Sequence, residues 1–273
     1  MATNSTTGLG GPPSTATNRG QLRVILAWAA GILIVAWFLL GFSSSSPRFD
    51  PVEGYLACNV DQPTLLVLYY DDLSWLTWAG FFPVSSVDLG NPALRVSHIS
   101  VKLLGHGAQF PYRRMSLTLD IVATTVGSHE LREVYVSTGA RKGAAQLGPI
   151  VFNAEAPVPT ALLGDLPEQN VAVIASPEAV AQVLAANDTA QPIRVKLDSE
   201  GLPPFIRMTS EWSTIGPNST TLLEAKLSLR EATPAGVKVF MFRPWAQYEG
   251  QSKGKVPGPL IQVIIPGPAM PEP

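Results

Sequence analysis

The sequence is short of charge. Of its 273 residues 15% are charged and the net charge is −2, against about 25% charged residues in an ordinary soluble domain. With no excess of Lys and Arg to neutralise a phosphate backbone, no nucleic-acid partner is expected. A single cysteine, Cys58, excludes an internal disulfide framework and any cysteine-rich zinc site. Three histidines leave little material for an imidazole cluster. The common reaction motifs are missing as well. There is no G-x-S-x-G elbow, no Walker A sequence, no G-x-G-x-x-G opening a helix after a strand, no H-E-x-x-H and no C-x-x-C-H. The expectation is a non-enzyme with no catalytic residue, no cofactor and no metal.

What the sequence does contain is one long apolar run. Val24 to Phe42 reads VILAWAAGILIVAWFLLGF, 19 residues without a charge. As a helix it would cover about 28 Å, close to the hydrocarbon thickness of a bilayer. Trp28 and Trp37 lie nearer its ends than its centre, as interfacial aromatics do. Arg19 and Arg23 precede it, and no acidic residue occurs before Asp50. The positive-inside rule therefore places the N-terminus in the cytoplasm and the C-terminal bulk in the periplasm or outside the cell. A cleaved signal peptide ending near Gly41-Phe42-Ser43 fits less well. The run exceeds the 7–15 residues of a signal h-region and a long polar stretch precedes it. A lipid-anchor cysteine should follow the run directly, and Cys58 does not. Ala27 and Gly31 form a small-xxx-small pair, a spacing that lets a partner helix approach closely.

The expected organisation is a disordered cytoplasmic tail at 1–20, a transmembrane signal anchor at 24–42, a linker at 43–54, a β-rich extracytoplasmic domain at 55–265, and an extended proline-rich tail at 266–273. Within the body, Met115, Leu117, Leu119, Ile121 and Ala123 alternate with Ser116, Thr118 and Asp120. Leu223, Ala225, Leu227 and Leu229 alternate with charged and hydroxyl residues, as do Ile193, Val195 and Leu197, and Ile99, Val101 and Leu103. A period of two puts one face of each segment on a core. Further strands are expected at 65–70, 131–137, 171–175, 205–212, 237–243 and 260–265. One short helix is expected after Ser176 as N-cap, with Pro177 at its first position and Asn187 at its end. The fold class is therefore mainly β: an N-terminal transmembrane helix followed by an antiparallel β-sandwich-like domain with one short helix. The paired cysteines of an immunoglobulin domain are absent.

Residues 69–87 stand apart, with six aromatics between Tyr69 and Phe82. Trp75, Trp78 and Phe82 fall at i, i+3 and i+7, which suits a short amphipathic helix; the segment reads either as a loop plugging one end of the sandwich or as a patch docking on a membrane surface or partner. The contact residues expected from these patterns are Ala27, Trp28, Gly31, Trp37, Trp75, Trp78, Phe81 and Phe82. Asp71-Asp72 is expected in a polar turn. The doublets Arg113-Arg114 and Arg141-Lys142 are expected on solvated faces or against acidic neighbours. His98 is expected on a solvated strand face. His106 and His129 are expected in turns, which could bring both to one end of a sandwich, although nothing in their spacing demands a metal. Cys58 is expected as a small buried residue. Asn187-Asp188-Thr189 and Asn218-Ser219-Thr220 match the glycan acceptor pattern, which matters only in a eukaryotic host.

The charge deficit persists outside the apolar run: residues 47–273 hold 38 charged residues in 227. Free exported domains keep a more charged surface for solubility, whereas interface cores are depleted in charge and enriched in aromatics. These patterns point to a non-catalytic accessory subunit of a larger membrane protein complex, with lipid and other integral membrane subunits as partners. A bacterial respiratory or photosynthetic assembly would be a natural host. The alternative is a free membrane-tethered binding or sensor module.

Overall fold

The computed structural model describes residues 23–35, 47–72, 84–106, 112–138, 141–157, 171–174, 178–187, 190–230, 239–249 and 256–265. The chain divides into two compact units, Met1–Ser45 and Ser46–Pro273. In the first, residues 23–35 form one α-helix, α1. It rises about 20 Å at 1.5 Å per residue. No helix among the described residues is long and apolar enough to cross a membrane. Residues 36–42, which complete the charge-free run, lie outside the described residues, as do the two tails.

The second unit is built from strands. The first half of the chain forms β1 (Arg48–Phe49), β2 (Val52–Asn59), β3 (Pro63–Asp72), β4 (Val84–Asp88), β5 (Leu94–His106), β6 (Arg113–Ala123), β7 (Gly127–Thr138) and β8 (Arg141–Glu155). The second half forms β9 (Val171–Val173), β10 (Glu178–Asn187), β11 (Ile193–Leu197), β12 (Ile206–Ser210), β13 (Ser213–Ile215), β14 (Ser219–Leu229), β15 (Val239–Arg243), β16 (Trp245–Tyr248), β17 (Val256–Pro257) and β18 (Ile261–Ile264). Strand pairing thus begins at Arg48, inside the stretch read as linker. Among the described residues four sheets result, with orders β1-β3-β6-β5, β10-β14-β12, β13-β11-β16-β17 and β4-β7-β8-β2-β15-β18-β9.

The seven-stranded sheet organises the rest. Its members come from both halves of the chain, joined where β2 runs parallel to β15 with Val52 opposite Val239 and Tyr55 opposite Phe242. Alternate residues of these strands divide between two cores. Val52, Leu56, Cys58, Val239 and Met241 belong to one, together with the inward residues of β3 and β6. Tyr55, Ala57, Phe240, Phe242, Ile261 and Val263 belong to the other, together with β10, β11, β12, β14 and β16. Successive side chains on a strand point to opposite faces, so the sheet carries one core on each face. This is why its central strands read as nearly unbroken apolar runs rather than as alternation.

Two expectations are corrected. The seven-stranded sheet is mixed rather than antiparallel, whereas the other three are antiparallel throughout as expected: β2 runs parallel to β8 and to β15, and β9 runs parallel to β18. The segment expected as a short helix after Ser176 is the strand β10, paired with β14 over ten residues from Glu178↔Ser228 to Asn187↔Ser219. Alanine favours helix only weakly, and a long ladder with a buried face overrides that preference. Ala181, Val183 and Ala185 are buried on the inward face, alternating with Gln182, Leu184 and Ala186. The only helix among the described residues is α1.

The alternations expected in β6 and β14 are realised. Met115, Leu117, Leu119, Ile121 and Ala123 of β6 line one core, and Leu223, Ala225 and Leu227 of β14 line the other. Sharp turns take residues that tolerate positive φ. Asp61 at φ 62 closes the turn from β2 to β3, and Asn218 at φ 46 closes that from β13 to β14.

Candidate functional site

Of the contact residues read from the sequence, Ala27, Trp28 and Gly31 lie on α1. Trp37, Trp75, Trp78, Phe81 and Phe82 lie outside the described residues. The described apolar side chains of α1 are exposed on all sides of the helix. Val24, Ile25, Leu26, Trp28, Ile32, Leu33, Ile34 and Val35 have between 57% and 71% of their surface accessible. Ala27 and Gly31 are one turn apart, and a Cβ added at Gly31 would meet nothing within 4 Å.

A polar cluster marks the place where the chain joins the β body. Arg114 of β6 donates to both Asp50 carboxylate oxygens and, at 3.3 Å, to Asp71 of β3. The hydrogen bond and charge of Asp50, and then of Asp71, hold the guanidinium firmly protonated against the cost of burial. Arg114 also sits 5.6 Å from the Tyr69 ring centre. Beside it, Phe49 stacks on Tyr70 with ring centres 4.8 Å apart, and Arg48 lies 4.8 Å over the ring of Tyr112. Asp71-Asp72 is therefore not a polar turn. Both residues lie in β3, opposite Arg114 and Arg113, so the acidic and basic doublets meet as cross-strand partners. Tertiary pairing supplied what the sequence spacing concealed.

The histidines are far apart. His98 is exposed on β5, as expected. His106 ends β5 beside Arg113, at 3.1 Å from its guanidinium. His129, by contrast, is near the start of β7 and within 2.7 Å of the Thr125 carbonyl. The 11-residue strand β6 separates these two places, a distance of roughly 30 Å. The idea that turns bring His106 and His129 together is corrected, because the strand joining the two turns carries them to opposite ends. Among the described residues no group of three or more His, Cys, Asp or Glu could hold a metal ion.

Cys58 is fully buried in the first core and its thiol faces the Asn153 carbonyl at 3.6 Å. Burial pushes its pKa up to about 11. Tyr248 is raised to about 12 for the same reason. The Tyr135 hydroxyl is raised by the hydrogen bond it donates to Glu133 at 2.6 Å. The two sequons part company. Asn187 is fully buried and its Nδ2 faces the carbonyls of Gln191, Ile215 and Gly216 at 2.8, 3.2 and 2.9 Å. Asn218 is exposed at its turn.

Among the described residues, two clefts of the β body can be placed. One, of about 200 Å³, is lined by polar groups of Lys196, Asp198, Ser199, Thr209, Ser210 and Gln247. The other, of about 350 Å³, lies beside Gly90, Glu130, Arg132 and Tyr135. Small-molecule sites usually occupy about 300–1,000 Å³ and enclose their ligand in mainly apolar walls; the first cleft is too small and too polar for that, and the second, though large enough, is open to solvent rather than enclosing. The groups with shifted titration are spread over β2, β6, β7 and β16 and share no cleft.

A feature the sequence did not disclose lies along β5. Val101 and Leu103 stand opposite Leu117 and Met115 of β6 and belong to the same inward face. Leu117 and Met115 are 0% and 4% accessible, whereas Val101 and Leu103 are 37% and 36% accessible. The alternation at Ile99, Val101 and Leu103 signalled an inward face. Nothing in it could signal that the opposing sheet leaves this part of β5 uncovered.

No family model matches the chain, and no curated protein does. Among solved structures, the chain is similar to a protein of unknown function from Porphyromonas gingivalis W83, at 13% identity over 82% of this chain and 97% of that one, with a TM-score of 0.24. It is also similar to CBD12 from CALX1.2, at 8% identity over 75% and 79% with a TM-score of 0.20. The YadV chaperone matches at 11% identity over 80% and 100%, with a TM-score of 0.19. At these scores the likenesses carry no argument about function.

Proposed function

We propose that the chain is a non-catalytic, membrane-anchored accessory subunit of a larger membrane protein complex. In this reading the charge-free run 24–42 continues as helix beyond α1 and spans the bilayer. The N-terminus is cytoplasmic, and the β body stands in the periplasm or outside the cell. The observation that carries the reading is the exposure of apolar side chains on every side of α1. A helix apolar all round needs apolar surroundings, and lipid with neighbouring helices would supply them. Support also comes from the N-terminal flank, where Arg19 and Arg23 stand without acidic residues while Arg48 beyond the run is set against Asp50 and Glu53, and from the low charge of the body. Trp28 and Trp37 would lie at the interfaces, Ala27 and Gly31 against a neighbouring helix, and Trp75, Trp78, Phe81 and Phe82 against a partner or the headgroups. Binding through both helix and body raises the effective concentration of the docking surface at the membrane.

The test is extraction of native membranes. The full chain should resist alkaline carbonate and, after mild detergent, migrate on a native gel far above its own 29.1 kDa plus micelle. Release by carbonate would refute the anchor. A monodisperse monomer would refute the subunit and leave the tethered binding module.

A further inference from the structure

We infer that folding of the β body and N-glycan transfer to Asn187 exclude each other, so that the body matures only in a compartment where N-x-S/T asparagines stay bare. Asn218, by contrast, can carry a glycan on the folded protein. Both asparagines sit in acceptor patterns, Asn187-Asp188-Thr189 and Asn218-Ser219-Thr220. What separates them is their place in the fold. The inference goes beyond the subunit reading and does not rest on it.

The two patterns meet at one turn. Asn187 ends β10, opposite Ser219 at the start of β14, and the turn from β13 to β14 carries Asn218 at φ 46. Asn187 holds that turn from within. It is 0% exposed, and its Nδ2 faces the carbonyls of Gln191, Ile215 and Gly216. Ile215 belongs to the second core and is itself fully buried. Ser219 closes the same turn by donating its hydroxyl to the Gly216 carbonyl at 2.7 Å. Asn218 and Thr220 are both exposed.

Nδ2 is the atom that the transfer modifies. A lipid diphosphate-linked oligosaccharide gives up its sugar: the bond from Nδ2 to the anomeric carbon forms, that carbon's bond to the diphosphate breaks, and one amide proton leaves. On Asn187 a single N–H would then remain where two now face three carbonyls. Leaving buried acceptors without a donor is costly, and a close-packed interior has no room for a sugar ring. Chain order makes the conflict unavoidable in a secretory lumen that holds the transferase. Ile215 and Gly216 lie 28 and 29 residues beyond Asn187, so Asn187 enters the lumen before the turn that covers it exists.

Two measurements on the full chain test this. In the first, cell-free translation into detergent places N-acetylglucosaminyl-asparagine, through a suppressor tRNA, in place of Asn187 or of Asn218. With the sugar at Asn218 the body should melt and resist protease as the parent does. With the sugar at Asn187 it should show no cooperative melt and be digested at least about tenfold faster than the parent. Equal stability of the two glycosylated chains, or collapse of both, would overturn the inference. In the second, the full chain is translated with microsomes of a eukaryotic endoplasmic reticulum. The parent should carry sugar on both Asn187 and Asn218 and have a protease-sensitive body once the membrane is opened. Thr189→Ala removes the first acceptor pattern and keeps Asn187, so it should carry sugar on Asn218 alone and recover the resistance. A resistant parent with sugar on Asn218 alone would overturn the inference, since folding would then outrun transfer. Sugar on Asn4, in the Asn4-Ser5-Thr6 pattern of the N-terminal tail, in place of the body would refute the proposed orientation in the membrane, and the first measurement would still decide the inference.

Discussion

Gly54 of β2 and Met241 of β15 touch backbone to backbone across the parallel seam that joins the two halves of the β body. They are register partners, and a Cβ on Gly54 would stand 2.6 Å from the Met241 carbonyl oxygen and 3.1 Å from its Cβ. Only glycine lets the strands approach to ladder distance there. Gly54→Ala must shift backbone rather than a pliable side chain, so it should destabilise by about 1–3 kcal/mol. Urea melts of parent and variant will show it. A change within about 0.5 kcal/mol, the range of ordinary surface substitutions, would mean that the seam yields.

Asn187 is the second sensitive position. Its fully buried amide nitrogen directs its two N–H groups at the carbonyls of Ile215, Gly216 and Gln191, the first of these contacts buried and the other two partly so. Asn187→Ala leaves those acceptors without that donor and should cost roughly 1–3 kcal/mol. Asn187→Asp should be at least as harmful at neutral pH, because a carboxylate would then face three carbonyl oxygens. Thermal melts in which the aspartate variant matches the parent would show that the carbonyls find other donors.

Glu53 gives the expected pH dependence. Burial holds its carboxyl above the ordinary value of 4.5, so the folded state binds this proton more tightly than the unfolded chain does. The corresponding stability is fully present below the unfolded value and is lost as pH rises through the folded one. At neutral pH the charged Glu53 is therefore a cost. Glu53→Gln removes the titration, and its melting temperature should exceed that of the parent at pH 7. The difference should shrink as the pH falls to about 4, where the parent is protonated in both states. A constant offset at all pH values would assign the effect to packing instead.

Cys58 should be silent in the folded protein. Its thiol is buried and stays protonated up to about pH 11, and the thiolate is the reactive form. Maleimide labelling at pH 8 should be negligible without denaturant and complete in guanidinium. Rapid labelling of the native chain would mean that β2 opens readily, contrary to its place between two cores.

Much of this architecture was legible one strand at a time. β14 buries one face, and β6 keeps its polar residues Ser116, Thr118 and Asp120 on the face away from its core, so their side chains alternate and the period of two is visible. β2 is buried on both faces and shows no alternation, so its central place was hidden. β10 is rich in alanine, with leucine, glutamine and glutamate, residues at home in a helix, and only its ten-residue ladder with β14 decides the matter. The ion cluster of Asp50, Asp71 and Arg114 was visible only as separate doublets, because its members lie far apart in sequence.

The amino-acid order alone determined the charge-free run at 24–42, the poverty of charge, the strand character of the body and the lack of familiar reaction motifs. These are properties of composition and local period, and they hold whatever the chain does next. The tertiary structure decided which strands pair, that one mixed sheet carries a core on each face, that His106 and His129 stand apart, and that β5 leaves part of its apolar face uncovered. Each of these depends on contacts between residues distant along the chain, and a local pattern holds no information about which distant surface will meet it.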